Sequence, residues 1–357
     1  MSSSENLFVE VSDGTHTGIG ELSPATGSLW TAERGEEKLN AFVSGRHDHL
    51  ELYHPSRPDS AVDFLKQIST AFTKPRESEL TQGLLISDIW RALKEWEVDP
   101  PAMAALDVAL WDLHAKRAQM PLYQLLGLSK RQAPTSITIG LNPPEVTKER
   151  VPDILRRTGA KYLKVKLGSP EGREHDKAHF LAAAEAAKPF NAKLRVDANG
   201  GWTVDEAKMM MPWLAERDVG YVEQPLVEGA EEDLKRIYEG RPLPIFVDES
   251  CQFSNDIPKW AHSVDGINLK LMKCGGITEA IRINATAKAF GLKTMIGCMS
   301  ESSIAIAAGA AIGSLFDHID LDSHLNLNPD VAEGAPIVDG VITPTDNPGH
   351  GARLIHA

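Results

Sequence analysis

The chain has 357 residues, 42% of them hydrophobic and 24% charged, with a formal net charge of -13. That length can bury a sizeable core, and the composition is that of a globular protein, which excludes disorder and fibre formation as organising principles. The negative balance argues against nucleic acid or an anionic membrane surface as a partner, since both reward clustered Lys and Arg.

The start, Met1-Ser-Ser-Ser-Glu-Asn, lacks the basic head and apolar stretch of an export signal, and the longest weakly apolar run, 303–315, is too short to span a bilayer. Cys251, Cys274 and Cys298 are odd in number, far apart and without metal-type spacing. They suit a reducing compartment, and a cytoplasmic protein is expected. Leu7, Val9 and Val11 alternate as in a strand, Asp13-Gly14 supplies a turn, and the chain resumes toward Ile19-Gly20-Glu21. From about 35 to 130 the pattern is helical. Its clearest helix opens at Asp99-Pro100 and runs through Met103, Leu106, Leu110 and Leu113, so residues 1–130 read as an α+β unit.

From 135 onward short apolar runs alternate with stretches of helix-forming composition. The runs are 136–140, 162–167, 194–197, 221–223, 245–248, 267–271, 294–297 and 319–322. Eight strands in βα alternation fit a closed parallel barrel over 131–325 better than an open, doubly wound sheet, which the same alternation also permits. The sequence after the eighth run is rich in Asn and Pro, so the last barrel helix is expected to be replaced by a segment over 326–357.

Barrel enzymes carry their chemistry at the C-terminal ends of the strands. Asp197, Glu223 and Asp248 end three consecutive runs, so their carboxylates are expected to converge on one point as hard oxygen ligands for Mg2+. Lys164 and Lys166 share a strand face directed inward, where mutual repulsion is expected to depress the pKa of at least one and make it a usable base. Lys270 stands four strands further round. A substrate held between the two sets would meet a base on each face of one carbon, as reversible proton removal and return requires. Lys273, three residues on, is expected to be a solvated lysine on a turn. Asp320 and Asp322 again share a face and are expected to attract a cationic group such as a substrate ammonium, the alternative being that they satisfy backbone groups at the barrel end or bind His318 or His324.

Lys164-x-Lys166, Asp197-Ala-Asn199, Glu223-Gln-Pro225, Asp248-Glu-Ser250 and Lys270-Leu-Met-Lys-x-Gly-Gly276 together resemble the muconate-lactonizing-enzyme subgroup of the enolase superfamily. Upstream, Gly18-Ile-Gly20-Glu21, Ala104-Ala-Leu-Asp107 and Ala109-Leu-Trp-Asp112 with Lys116 resemble that family's capping domain. The implied fold is a (β/α)7β TIM-like barrel with an α+β capping domain. Within the subgroup, Asp320-Leu-Asp322 with Ile296-Gly-Cys298-Met299 and Ser302 resembles the dipeptide epimerases. That resemblance implies Lys166 and Lys270 as acid/base catalysts, Lys164 as a contact to the substrate carboxylate, and Asp197, Glu223 and Asp248 as ligands of one Mg2+. It further implies Asp320 and Asp322 on the dipeptide ammonium, and Thr138 and Cys298 as substrate contacts, the cysteine through its backbone.

The family's first strand and mobile lid loop precede the segment equivalent to Leu7, and both are expected to be missing here, with the acid-rich stretch 33–63 as a partial substitute. The expected activity is epimerisation at the α-carbon of the C-terminal residue of a dipeptide, by a homo-oligomer. N-acylamino acid racemisation or o-succinylbenzoate synthesis would use the same lysines and metal without an ammonium. Cycloisomerisation fits poorly with two carboxylates beside an anionic substrate, and a non-catalytic paralogue would show damage to a lysine or ligand.

Overall fold

A computed structural model of the chain describes residues 5–24, 29–44 and 85–355. The stretch 33–63 therefore lies outside the described residues from position 45 onward. Alternation of Leu7, Val9 and Val11 produces strand β1 (Leu7–Ser12), which turns at Asp13-Gly14 into β2 (Thr17–Leu22). The turn is held locally. Asp13 Oδ1 accepts the backbone N–H groups of Thr15 and His16, and Gly14 takes a φ of 88° that its missing Cβ permits.

The hairpin packs on the helix Pro100–Arg117, which begins at Asp99 with prolines in its first turn. Asp99 does not cap that helix with its side chain; it pairs with Arg34 of the helix Ala32–Ser44 at 2.5 Å. The Pro100–Arg117 helix is buried on two sides. Ala104, Val108 and Ala115 join the barrel core, whereas Ala105, Leu106 and Ala109 join a second core with Leu22, Phe42 and Leu93. Its two buried acids tie distant segments together. Asp112 accepts the backbone N–H groups of Ile19 and His350 and pairs with Lys116, and Asp107 accepts the N–H and hydroxyl of Thr278.

Eight parallel strands follow, lying side by side in chain order: β3 (Ser136–Ile139), β4 (Tyr162–Lys166), β5 (Lys193–Asp197), β6 (Val222–Glu223), β7 (Ile245–Val247), β8 (Gly266–Lys270), β9 (Lys293–Gly297) and β10 (His318–Asp320). A bridge between Thr135 and Ile319 joins the last strand to the first. A helix follows each of β3 to β9, and after β10 there is only the short 3-10 turn Ser323–Asn326 before two small antiparallel strand pairs. This is the expected (β/α)7β barrel.

Candidate active site

The βα pattern delivers its charged residues to one end of the barrel. Asp197 and Glu223 are register partners on β5 and β6, and Lys166 is paired across from Asp197. Asp248 lies one residue beyond β7, where its N–H bonds to the side chain of Gln224, and Asp322 lies two residues beyond β10. Lys166 and Lys270 terminate β4 and β8, four strands apart and so on opposite sides of the mouth.

Lys164 is buried and stands among three acids. Its Nζ contacts Asp320 closely and lies 3.4 Å from Glu223 and 3.6 Å from Asp197. Burial alone would lower its pKa, but Asp320, Glu223 and Asp197 hold it well above the ordinary lysine value. The expected depression of a Lys164–Lys166 pair is thus overturned for Lys164, because the acids outweigh its like-charged neighbour. Lys166 is half-buried and forms no ion pair or hydrogen bond among the described residues.

Lys270 Nζ is 2.6 Å from Asp248 Oδ2, and this carboxylate holds the lysine above its usual range although burial opposes it. Lys273 also departs from expectation. It is buried and not solvated, with Nζ on the carboxylate and backbone carbonyl of Asp248 and on the carbonyls of Asn268 and Cys251. The one-turn helix Leu271–Cys274 folds it back beneath β8. Burial would raise Asp248, yet Lys270 and Lys273 together pull its carboxyl well below the usual carboxylate range.

Among the described residues no three carboxylates, imidazoles or thiols stand at ligand spacing. Asp197 and Asp248 both stand near enough to Glu223 to raise its pKa, while Asp248 also pairs with Lys270 and Lys273 and Lys164 lies beside the other two acids. The donor set nonetheless fits a hard divalent cation. Asp197 Oδ2 is buried without a hydrogen-bond donor, and burial with the nearby Asp197 charge pushes Glu223 up to about 8, so a cation beside these carboxyl oxygens would favour their ionised forms.

At the far side of the mouth, Asp322 Oδ2 accepts the Thr138 N–H at 2.6 Å, and Thr138 Oγ1 is 3.5 Å from Asp320. Burial and then Asp320 push Asp322 up to about 7. Cys298 turns its Sγ to the Asp320 carbonyl at 3.2 Å. All ten residues singled out from the sequence thus line or adjoin one mouth. Asn268 was missed: its amide donates to Glu223 Oε1 at 2.6 Å from a position two residues before Lys270, so the two-residue face rule could have found it. Gln224 was missed too. It takes a φ of 37°, and its amide bonds Ser250 and the Leu226 carbonyl, which has no sequence signal beyond the motif it sits in.

Residues 147–356 match the enolase C-terminal domain-like family, and 82–127 match the mandelate racemase / muconate lactonizing enzyme N-terminal domain. The chain belongs to the enolase superfamily, in its mandelate racemase / muconate lactonizing enzyme group. It is 52% identical to the hydrophobic dipeptide epimerase of Roseobacter litoralis over 99% of this chain and 93% of that protein. It is 36% identical to the L-Ala-D/L-Glu epimerase of Bacteroides thetaiotaomicron over 83% of this chain and 74% of that one. Its structure is similar to the crystal structure of the Enterococcus faecalis dipeptide epimerase complexed with Mg and L-Leu-L-Tyr, with a TM-score of 0.74 and 29% identity over 97% of this chain and 91% of that one.

Proposed function

We propose that this protein is a Mg2+-dependent dipeptide epimerase that inverts the α-carbon of the C-terminal residue. The observation that carries this reading is the placement of Lys166 and Lys270 on opposite sides of a mouth whose β10 edge presents Asp320 and Asp322. Asp197, Glu223 and Asp248 would hold the Mg2+, which when bound supplies positive charge to the substrate carboxylate and so acidifies the adjacent α-carbon. One lysine removes the α-proton and the other returns a proton to the opposite face. Asp320 and Asp322 bind the substrate ammonium, Lys164 contacts the substrate carboxylate, and Thr138 and Cys298 touch the substrate, the cysteine through its backbone. The relatives at 52% identity favour hydrophobic dipeptides as the substrate class. We assign the enzyme to the cytoplasm as a homo-oligomer; its three cysteines are free, and none of the described helices is long and apolar enough to cross a membrane.

The test is deuterium incorporation from heavy water into an L,L-dipeptide library with Mg2+. Label at the C-terminal α-carbon, lost on chelation, supports the reading. Lys166→Met and Lys270→Met should each lower turnover by about 100-fold or more while leaving Mg2+ binding in place. Unchanged turnover in both variants would sink the two-base mechanism. Exchange on N-succinylamino acids and on no dipeptide would move the assignment to an N-acylamino acid racemase.

A further inference from the structure

Glu21, on β2, is fully buried and reaches the loop after β9. Its Oε1 accepts the Ser302 N–H at 2.8 Å and the Asn6 amide at 2.6 Å; its Oε2 accepts the Ser302 hydroxyl at 2.7 Å and the Ala305 N–H at 3.1 Å. Ser302 is the N-cap of the helix Ser303–Ile312, so the carboxylate also faces the positive end of a helix. Burial still raises the Glu21 pKa against these bonds.

Loop 299–302 is tied at every residue. Glu301 Oε1 accepts the Met299 N–H, Asn6 donates to the Ser300 carbonyl, and Ser323 Oγ bonds both the N–H and the carbonyl of Glu301. Ser323 immediately follows Asp322. Hydrogen bonds from Glu21 to Ser302 and from Ser323 to Glu301, joined through the adjacent backbone of 301–302 and 322–323, thus connect the N-terminal hairpin to the segment that carries Asp322. None of these groups belongs to the proton-transfer machinery.

We propose that Glu21 is a positioning residue for the ammonium end of the site: its carboxylate fixes loop 299–302 and, through Ser323, the placement of Asp322. The argument rests on the dipeptide epimerase reading for its kinetic form only. A carboxylate is required in this place because donors approach both oxygens. A glutamine would turn an NH2 group either on the Asn6 amide and Ser302 N–H or on the Ala305 N–H, leaving a buried donor unmet. Displacing Asp322 weakens ground-state binding of the ammonium and leaves the lysines in place, so the effect falls on KM.

The experiment compares wild type with Glu21→Gln, Ser323→Ala and the double variant, by steady-state kinetics on a dipeptide that the wild type turns over and by hydrogen exchange of 298–323. Glu21→Gln should raise KM about 10-fold or more with kcat changed less than about 3-fold, and should speed exchange of loop 299–302. Ser323→Ala should raise KM in the same sense, and the double variant should be no worse than the poorer single one, because both break the same connection. Loss of kcat at unchanged KM, or full additivity, would overturn the proposal and leave Glu21 a fold-stabilising acid. Were Glu21→Gln not to fold, the KM of Ser323→Ala alone would decide. A wild type that turns over no dipeptide would remove the function and not this proposal, since unaltered exchange of loop 299–302 in both variants would still refute it.

Discussion

Lys273 shows how far a single side chain can be from its local reading. An offset of three residues from Lys270 places it past the strand, which by spacing alone is a turn facing water. The chain instead tightens into the helix Leu271–Cys274, and the ammonium lies beneath β8 with Asp248 and the carbonyls of Asn268 and Cys251 around it. Two lysines therefore share one carboxylate, and removing either leaves buried groups unpaired. Lys273→Met should destabilise the protein by about 3 kcal/mol, as for one partner of a buried ion pair, read from the urea unfolding midpoint. A midpoint within error of wild type would mean that the Lys270–Asp248 pair suffices. Lys166, by contrast, forms no ion pair or hydrogen bond among the described residues and acts on Asp322 only through its charge.

At the level of elements, the decisive contact lies between β2 and the helix Pro100–Arg117. Gly18 and Gly20 share one face of the strand, and Ala105 and Ala109 lie one turn apart on the helix beneath them. A Cβ on Gly18 would stand 2.0 Å from the Ala109 carbonyl oxygen, and one on Gly20 1.9 Å from that of Ala105. The obstacle is backbone and not a side chain that could swing away, so a Gly20→Ala change must push hairpin and helix apart. It should cost about 3 kcal/mol and lower the Tm, and it should also displace Glu21, the next residue, from loop 299–302. Wild-type Tm and soluble yield in Gly20→Ala would show that the two elements can separate at no cost. The same two glycines explain why the Gly-x-Gly-Glu run stands out in the sequence: small residues bring the strand in, and the acid that follows reaches the barrel.

Across the whole molecule, the N-terminal elements and the barrel are joined through buried acids, and this gives stability a pH dependence. Burial pushes Asp107 up to about 7, although bonds from Thr278 at the start of the helix Ile277–Ala289 act in the opposite direction. An unfolded aspartate titrates near ~3.9. A folded value above the unfolded one means that the native state holds the proton more tightly, so ionisation opposes folding. The penalty is absent below about pH 4, grows as pH rises and is complete above about 7. Relative to Asp107→Asn, the wild type should lose stability as pH is raised from 4 to 7, measured by urea unfolding at a series of pH values. A constant difference across that range would refute a buried, proton-holding Asp107.

The sequence by itself determined the barrel, because hydrophobic periodicity and strand spacing are local properties that survive without any contact being known. Eight runs became eight strands, with ends shifted by a residue or two; β7 stops before Asp248, whose N–H goes to the Gln224 side chain. It also placed Lys164 with Lys166 on one face of β4, since alternation along a strand assigns each side chain to one face, whereas Asp322, two residues beyond β10, owes its place to the turn that follows the strand. Only the tertiary structure decided how those charges pair. Coulomb attraction depends on distances between strands that are remote in sequence, and so Lys164 goes to Asp320 and Glu223, and Asp248 goes to Lys270 and Lys273. The same holds for Glu21 and Asp107, whose partners lie 281 and 171 residues away and become neighbours only when the hairpin and the long helix are laid across the barrel.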